Sequence, residues 1–399
     1  MPILLVAIFA MLVQQTVAST AKLGMPAMFP EIAPDLGFDP KFALAYTWGY
    51  AACAIFVMAG CGGALRRWGA LRTSQIGCVL MAAGLSMAAV LAQPWLALPP
   101  LVIAVVMNSA GSTVATPASS QILARYAPPK WAPLVFSIKQ TGVPAGLAIS
   151  GMVLAPMAVA LGWRVALLAL AAVCLAIAAL LQPLRDEFDQ DRDPEARPRW
   201  RDFPDTVRDV VASPELGTLA AAAFCFVGMQ AVFMGFSVTY LHEALGYQTE
   251  AAGPILGAAA LVAVPARVLW GWVGSTVIRP RRLLAGLAVI MALSTAAMGA
   301  FSADWSDGEI LIVLSVVSLS VMSWHGVLLS EAARLAPDGE AGRMTGGVLA
   351  FGSAGQVAYP LLFGAGLFLG GYEAAYIAIG LPAAGVAVML LALRAKQPA

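Results

Sequence analysis

"GGALRRWGALR" (Gly62–Arg72) and "GWVGSTVIRPRR" (Gly271–Arg282) begin 209 residues apart, each a glycine-led basic loop that closes an apolar run. A second pair keeps the same interval: "LARYAP" ends at Pro128 and "AARLAP" at Pro337. One such coincidence carries little weight, but the same offset at two equivalent places points to a duplicated unit.

The chain around these loops is apolar. Hydrophobic residues make up 60% of the 399 positions, charged residues 11%, and mean hydropathy is +0.82. That leaves too little polar surface to coat a soluble globule, so the sequence reads as an integral membrane protein. A net charge of +1 gives no reason to invoke nucleic acid. The five cysteines are odd in number and sit in apolar runs, which suits packing thiols better than a disulfide or metal framework. The first apolar run has no basic residue before it and exceeds a signal core in length, so it is expected to remain as a membrane helix.

Crossing about 30 Å of hydrocarbon takes about twenty apolar residues. Twelve runs qualify: 3–33, 41–65, 74–93, 98–124, 133–160, 164–184, 215–241, 251–275, 283–302, 308–333, 343–369 and 372–393. Residues 185–214 differ, with six arginines, nine acidic residues and a short amphipathic surface helix expected near "FPDTVRDVVASPEL". The expected fold is an all-α membrane protein of two pseudo-symmetric six-helix bundles, 1–184 and 215–399, joined by that central loop.

Orientation follows from the basic residues. With a cytoplasmic N-terminus, 18 of the 23 lysines and arginines fall on the cytoplasmic side, including Arg66, Arg67, Arg72, Arg125, Arg334, Arg343, Arg394 and Lys396. Lys41 and Arg164 stand on the other face, and Lys22, Lys139 and Arg267 lie within spans. Both termini are therefore expected in the cytoplasm, with the protein in the cytoplasmic membrane.

On twelve spans, a long central loop, the glycine-basic loops and "GWR" at Gly162–Arg164, the chain resembles the major facilitator superfamily over essentially its whole length. The resemblance implies a secondary transporter whose central cavity, between two bundles, opens alternately to each side. The family's usual aspartate, four residues after the first loop glycine, is replaced by Arg66 and Ser275. An Asp-based cytoplasmic latch is therefore not expected at those positions. Drug-proton antiporters of the family usually carry a Gly-Pro pair on span five and an arginine on span four. Gly142-Val143-Pro144 and Asn108 stand there instead, which weighs against drug efflux.

Polar residues within spans point to the chemistry. Gln15, Ser19 and Lys22 recur at helical spacing and form a polar stripe on span one, facing a wet cavity unless Lys22 snorkels to the outer headgroups. The resemblance to anion-transporting members, with a basic residue preceding "DLG" (Asp35–Gly37), implies that Lys22 holds an acid group. Lys139 and Gln140 on span five either reach the cytoplasm or join the cavity. Arg267, four residues before Gly271, resembles the span-eight arginine of monocarboxylate-type carriers, whose neighbouring aspartate is Ala263 here. Substrate contact and gate strut both remain open for it. Arg66, Arg67 and Arg125 are expected at the gate.

Glu331 is the one carboxylate inside a span, and its spacing to Arg334 fits a gate strut. A cavity with cations and no carboxylate is costly unless an anion visits it. His325 either carries a coupling proton or ties helices together. Trp324, Gln230, Gln356 and Tyr359 are further polar or aromatic candidates, with Tyr240 less prominent. Met229, Met234, Met322 and His325 can be drawn as a soft-metal site, but their intervals make no tight ligand pair.

The expected function is secondary transport of a small organic anion, with drug or hydrophobic-metabolite efflux as the alternative and a copper importer or non-transporting sensor behind it. The expected partners are the anion, protons and the bilayer. No cofactor, metal, nucleic acid or enzymatic activity is expected, and the oligomeric state expected is a monomer.

Overall fold

The computed structural model describes residues 2–39, 42–302 and 304–392. Lys41, Arg394 and Lys396, used above to set orientation, lie outside the described residues.

Ten helices are long and apolar enough to cross a membrane, and a bent pair, Ala45–Gly60 with Gly62–Trp68, makes an eleventh crossing. The last helix, Ala341–Ala392, is divided by non-helical backbone at Gly370 and Gly371, which yields the twelfth. The divide falls where the sequence placed the end of its eleventh run. Gly371 has φ +71°, a left-handed backbone that glycine adopts without a Cβ penalty. The other spans are Ile3–Leu36, Ala70–Leu91, Leu98–Tyr126, Ala132–Leu161, Trp163–Phe188, Pro214–Leu245, Gly253–Thr276, Pro280–Gly299 and Asp307–Leu335. The first basic loop proves largely helical: Gly62–Trp68 continues span two after a 54° bend.

Two spans break in corresponding places. Span four is interrupted at Val114, between helices ending at Thr113 and starting at Ala115. Span ten is interrupted between Val321 and His325, one repeat interval further on. Such breaks free backbone groups that must be satisfied by neighbours, and Trp324 Nε1 donates to one of them, Val321 O, at 2.8 Å.

By packing, the chain forms two compact units. The first comprises Met1–Ala127, Lys139–Arg208 and Ala336–Ala350; the second comprises Pro128–Ile138, Asp209–Leu335 and Phe351–Ala399. Each unit thus takes one short segment from the other half of the sequence. In the first unit, a methyl group at Gly346 would overlap the Met58 carbonyl and crowd Pro117. In the second, a methyl at Gly326 would overlap the Ser137 backbone, and one at Gly271 would crowd Ser137 and Leu134. Pro117–Gly346 and Gly326–Ser137 are the same contact displaced by the repeat interval. Small residues are what let helix backbones approach this closely.

Candidate substrate site

In the first unit the polar residues of spans one, four and five meet. Lys139 is 1% exposed and donates from Nζ to Gln15 Oε1 at 2.6 Å. The same oxygen accepts from Thr116 Oγ1 at 3.1 Å, and Gln15 Nε2 donates to Ser19 Oγ at 3.3 Å. Lys139 therefore does not snorkel out; its ammonium rests on a neutral amide. The span-four break presents Thr116 to this cluster, and span five approaches closely because Gly142 and Gly146 pack against the span-one backbone at Thr16 and Thr20. Gln140 is buried beside Lys139.

Lys22, half-buried, takes a different partner from its stripe mates. Its Nζ stands 5.1 Å from the Tyr50 ring centroid, and the Tyr50 hydroxyl lies 2.7 Å from Ser112 Oγ. A cation over an aromatic face is stabilised by the ring quadrupole, without charge neutralisation. Among the described residues no carboxylate lies within ion-pair distance of Lys22 or Lys139. Asn108, fully buried, donates to Ala21 O and to the Tyr46 hydroxyl, both at 2.8 Å, and so ties spans one, two and four.

Tyr50, Tyr46 and Thr116 were not singled out from the sequence. Their signal was present: Tyr46 and Tyr50 are one turn apart, and "NSAGSTVATPASS" (Asn108–Ser120) is unusually rich in hydroxyls for a membrane helix. Gln14 was also passed over. It is fully buried, with neither amide atom hydrogen-bonded to protein, and such a group calls for a functional or solvent partner.

In the second unit Arg267 is buried in span eight, one turn before Gly271. Trp324 is fully buried, with its ring stacked on His325 at 3.8 Å between centroids and set edge-on to Phe226 at 5.4 Å. Gln230 and Gln356 are half-buried, and Tyr359 is buried with its ring edge-on to Phe224. The Met229 sulfur accepts from Cys225 and that of Met322 from Ser318, while Met234 is exposed. Among the described residues no group of three or more His, Cys, Asp or Glu side chains could hold a metal ion.

The gate candidates sit in polar clusters on the central-loop side. Arg66 lies 3.5 Å from Asp202 and 3.3 Å from Glu340. Arg343 holds Glu340 at 2.8 Å and donates from Nε to Thr206 Oγ1 at 3.0 Å. Gln121 donates to Gly339 O at 2.6 Å and accepts from Gly342 N at 2.8 Å. Arg125 pairs with Asp191 at 3.2 Å, whereas Arg67 is exposed. Glu331 and Arg334 form a two-bonded pair at 2.7 and 2.9 Å. The acids missing from the basic loop are thus supplied by the central loop and by the segment before span eleven.

Asp189 adds a second device. Its oxygens accept from Leu71 N at 2.7 Å and Arg72 N at 3.0 Å, capping the start of span three from 118 residues away in sequence. Gly69 makes room: its φ is +89°, and a Cβ there would overlap the Asp189 carboxyl. Burial pushes the Asp189 carboxyl above its ordinary value, against the two amides and Arg185, which favour the ionised form. On the opposite side Asp35 accepts from Arg164 at 2.6 Å and from Trp163 Nε1 at 3.0 Å, joining the ends of spans one and six.

The sequence matches the family model described as Major Facilitator Superfamily over residues 3–346. Among curated proteins no relative matches. Solved structures do. The human organic anion transporter MFSD10 aligns at TM-score 0.75 with 13% identity, covering 96% of this chain and 98% of that one. The proton:xylose symporter XylE, bound to 6-bromo-6-deoxy-D-glucose, aligns at 0.73 with 15% identity, covering 98% and 95%. The E. coli fucose:proton symporter FucP aligns at 0.71 with 14% identity, covering 96% and 97%. At these identities the likeness speaks for the fold alone.

Proposed function

The chain belongs to the major facilitator superfamily, and from that premise we propose that it is a secondary transporter of a small organic anion, a carboxylate above all, working by alternating access. The observation that carries this reading is Lys22: a half-buried cation on a membrane-crossing helix whose contact is an aromatic ring and not an acid. Removing an ammonium from water costs several kcal/mol, and Tyr50 returns only part of it. An incoming carboxylate supplies the rest, since unit charges about 4 Å apart attract by roughly 4 kcal/mol at an effective dielectric near 20. Lys139 keeps the neighbourhood positive, because Gln15 solvates its charge without cancelling it. The cytoplasmic orientation of both termini, proton coupling and a monomeric state belong to the same proposal. The organic anion transporter MFSD10 and the proton symporters XylE and FucP are precedents for anion and proton-coupled transport on this fold.

The test is uptake of small carboxylates into proteoliposomes, with the matching amides as competitors. The expected result is saturable carboxylate uptake that the amides inhibit poorly, and its loss by more than about tenfold in Lys22→Gln with thermal stability kept. Transport of lipophilic cations, indifferent to every anion and to the Lys22 substitution, would overturn the proposal in favour of drug export.

A further inference from the structure

The central loop carries the stretch "RPRWR", Arg197–Arg201, which the transport reading leaves unused. All three arginines are exposed, and Trp200 is 88% exposed. Bare charge is ordinary in a loop; a bare indole between arginines is not, because its apolar body gains nothing in bulk water.

The position of this stretch is fixed by its neighbours. Phe203, at the start of the surface helix Asp202–Ala212, packs on Phe56 of span two with 5.2 Å between ring centroids. Phe56 is 63% exposed on a membrane-crossing helix. It lies four residues before Gly60, where the helix bends, or about 6 Å along the axis. The surface helix therefore begins beside span two, about one turn before its bend, and Trp200 stands three residues from Phe203. The backbone leading to Trp200 is held: Asp193 N donates to Arg66 O at 2.8 Å, Arg199 N donates to Asp202 Oδ2 at 3.0 Å, and Pro198 packs on Gly63.

Charge is sorted along the loop. The loop has more acids than bases, yet many of the acids are occupied. Asp189 caps span three, Asp191 holds Arg125, Asp202 holds Arg66, Asp205 holds Arg208, and Glu187 accepts from Tyr126. Among the described residues no carboxylate lies within ion-pair distance of Arg197, Arg199 or Arg201. Three guanidiniums and an indole are thus exposed within five residues, preceded by the exposed acids Asp193 and Glu195, neither within ion-pair distance of them.

We propose that Arg197–Arg201 is a docking site for anionic phospholipid: the three arginines hold headgroup phosphates of the leaflet on the central-loop side, and Trp200 inserts at the interface beside them. Guanidinium pairs with phosphate in bidentate geometry, and tryptophan is enriched at the headgroup level of membranes. A general excess of positive charge on one side of the membrane would require neither a fixed turn nor an exposed indole within it. Bound lipid would hold down the loop whose acids brace Arg66, Arg125 and the start of span three, so the site links membrane composition to the gate clusters.

The experiment is lipid retention by the purified full-length protein, measured by native mass spectrometry from mixed micelles of phosphatidylglycerol and phosphatidylcholine. Wild type is expected to retain phosphatidylglycerol preferentially, and Arg197→Gln/Arg199→Gln/Arg201→Gln to lose at least about fivefold of that preference. A charge-matched control, Arg67→Gln/Arg279→Gln/Arg282→Gln, is expected to keep it. In nanodiscs, brominated phosphatidylglycerol should quench wild-type tryptophan fluorescence more than that of Trp200→Phe. Equal retention by wild type and the triple variant, an equal loss in the control, or quenching indifferent to Trp200 would each overturn the proposal. Since every substituted side chain is exposed, unchanged melting temperatures are expected. A triple variant that melts early is replaced by Arg→Lys at the three positions, which should keep most of the preference.

Discussion

The glycine-basic loop after span two and its counterpart after span eight occupy the same place in two repeats, and they solve one packing problem with different chemistry. In the first unit Gly62 meets the side chain of Arg343, and the surroundings are ionic: Arg66 with Asp202 and Glu340, and Arg343 with Glu340 and Thr206. In the second unit Gly271 meets Leu134 and Ser137, and Ser275, at the position of Arg66, accepts from Leu134 N at 3.2 Å. Close glycine contacts serve both crossings, Gly346 on Met58 and Pro117 and Gly326 on Ser137, and the first adds an ionic cluster around Arg66 and Arg343. The central loop explains the difference, because it brings Asp202 and Thr206 to the first crossing, beside Glu340. The two repeats share a register and differ in their chemistry.

The contrast breaks most visibly at Gly326. Gly326→Ala places a methyl group on the Ser137 backbone, which cannot move aside, and is expected to cost about 3 kcal/mol and lower the melting temperature by several degrees. Gly62→Ala meets the Arg343 stem at Cβ, Cγ and Cδ, side-chain atoms that can shift further than a backbone, and should cost less, about 1–2 kcal/mol. Equal losses in thermal unfolding would mean that the Arg343 stem yields no more readily than the Ser137 backbone.

Charge is the next handle. Arg66→Gln leaves Asp202 and Glu340 without their shared cation and is expected to cost about 1–2 kcal/mol, with a coupling to Glu340→Gln of about 0.5–1 kcal/mol in a double-mutant cycle. High salt should lower the melting temperature of wild type, and less so that of Arg66→Gln. Ser275→Ala should cost about 0.5–1 kcal/mol with its salt response unchanged.

The smallest effect is a pH slope at Asp189. Its folded-state pKa is raised, so its stabilising contribution is present below its ordinary value of 3.8 and fades as pH rises through the raised value. Asp189→Asn should flatten the melting curve's pH dependence just above that point. An unaltered slope would show that the cap is formed by a carboxylate with an ordinary pKa.

The repeat itself was legible because span length, glycine-led loops and basic residues all follow from the bilayer. Gly62 and Gly271 announce the crossings, and the Glu331–Arg334 pair was readable because its spacing is local. What could not be read is everything that depends on partners distant in the chain. Lys139 meets Gln15 across 124 positions, and Asp189 caps Leu71 across 118. The polar stripe on span one was read as one surface, yet its members part company: Gln15 and Ser19 bond inward while Lys22 turns to Tyr50. Helical periodicity reports which residues share a side of a helix and is silent on what stands opposite.

The exchanged segments have a consequence for how the protein is made. Residues 128–138 leave the ribosome well before Gly271 and Gly326, against which Leu134 and Ser137 settle. The opening of span five must therefore wait, through the synthesis of roughly two hundred further residues, for the surface it packs on, and the first unit waits longer still for residues 336–350. Neither unit can reach its final packing before nearly the whole chain has been inserted. Chains truncated within span ten are thus expected to lack both finished units and to be drawn to membrane quality control as a whole, the first half included.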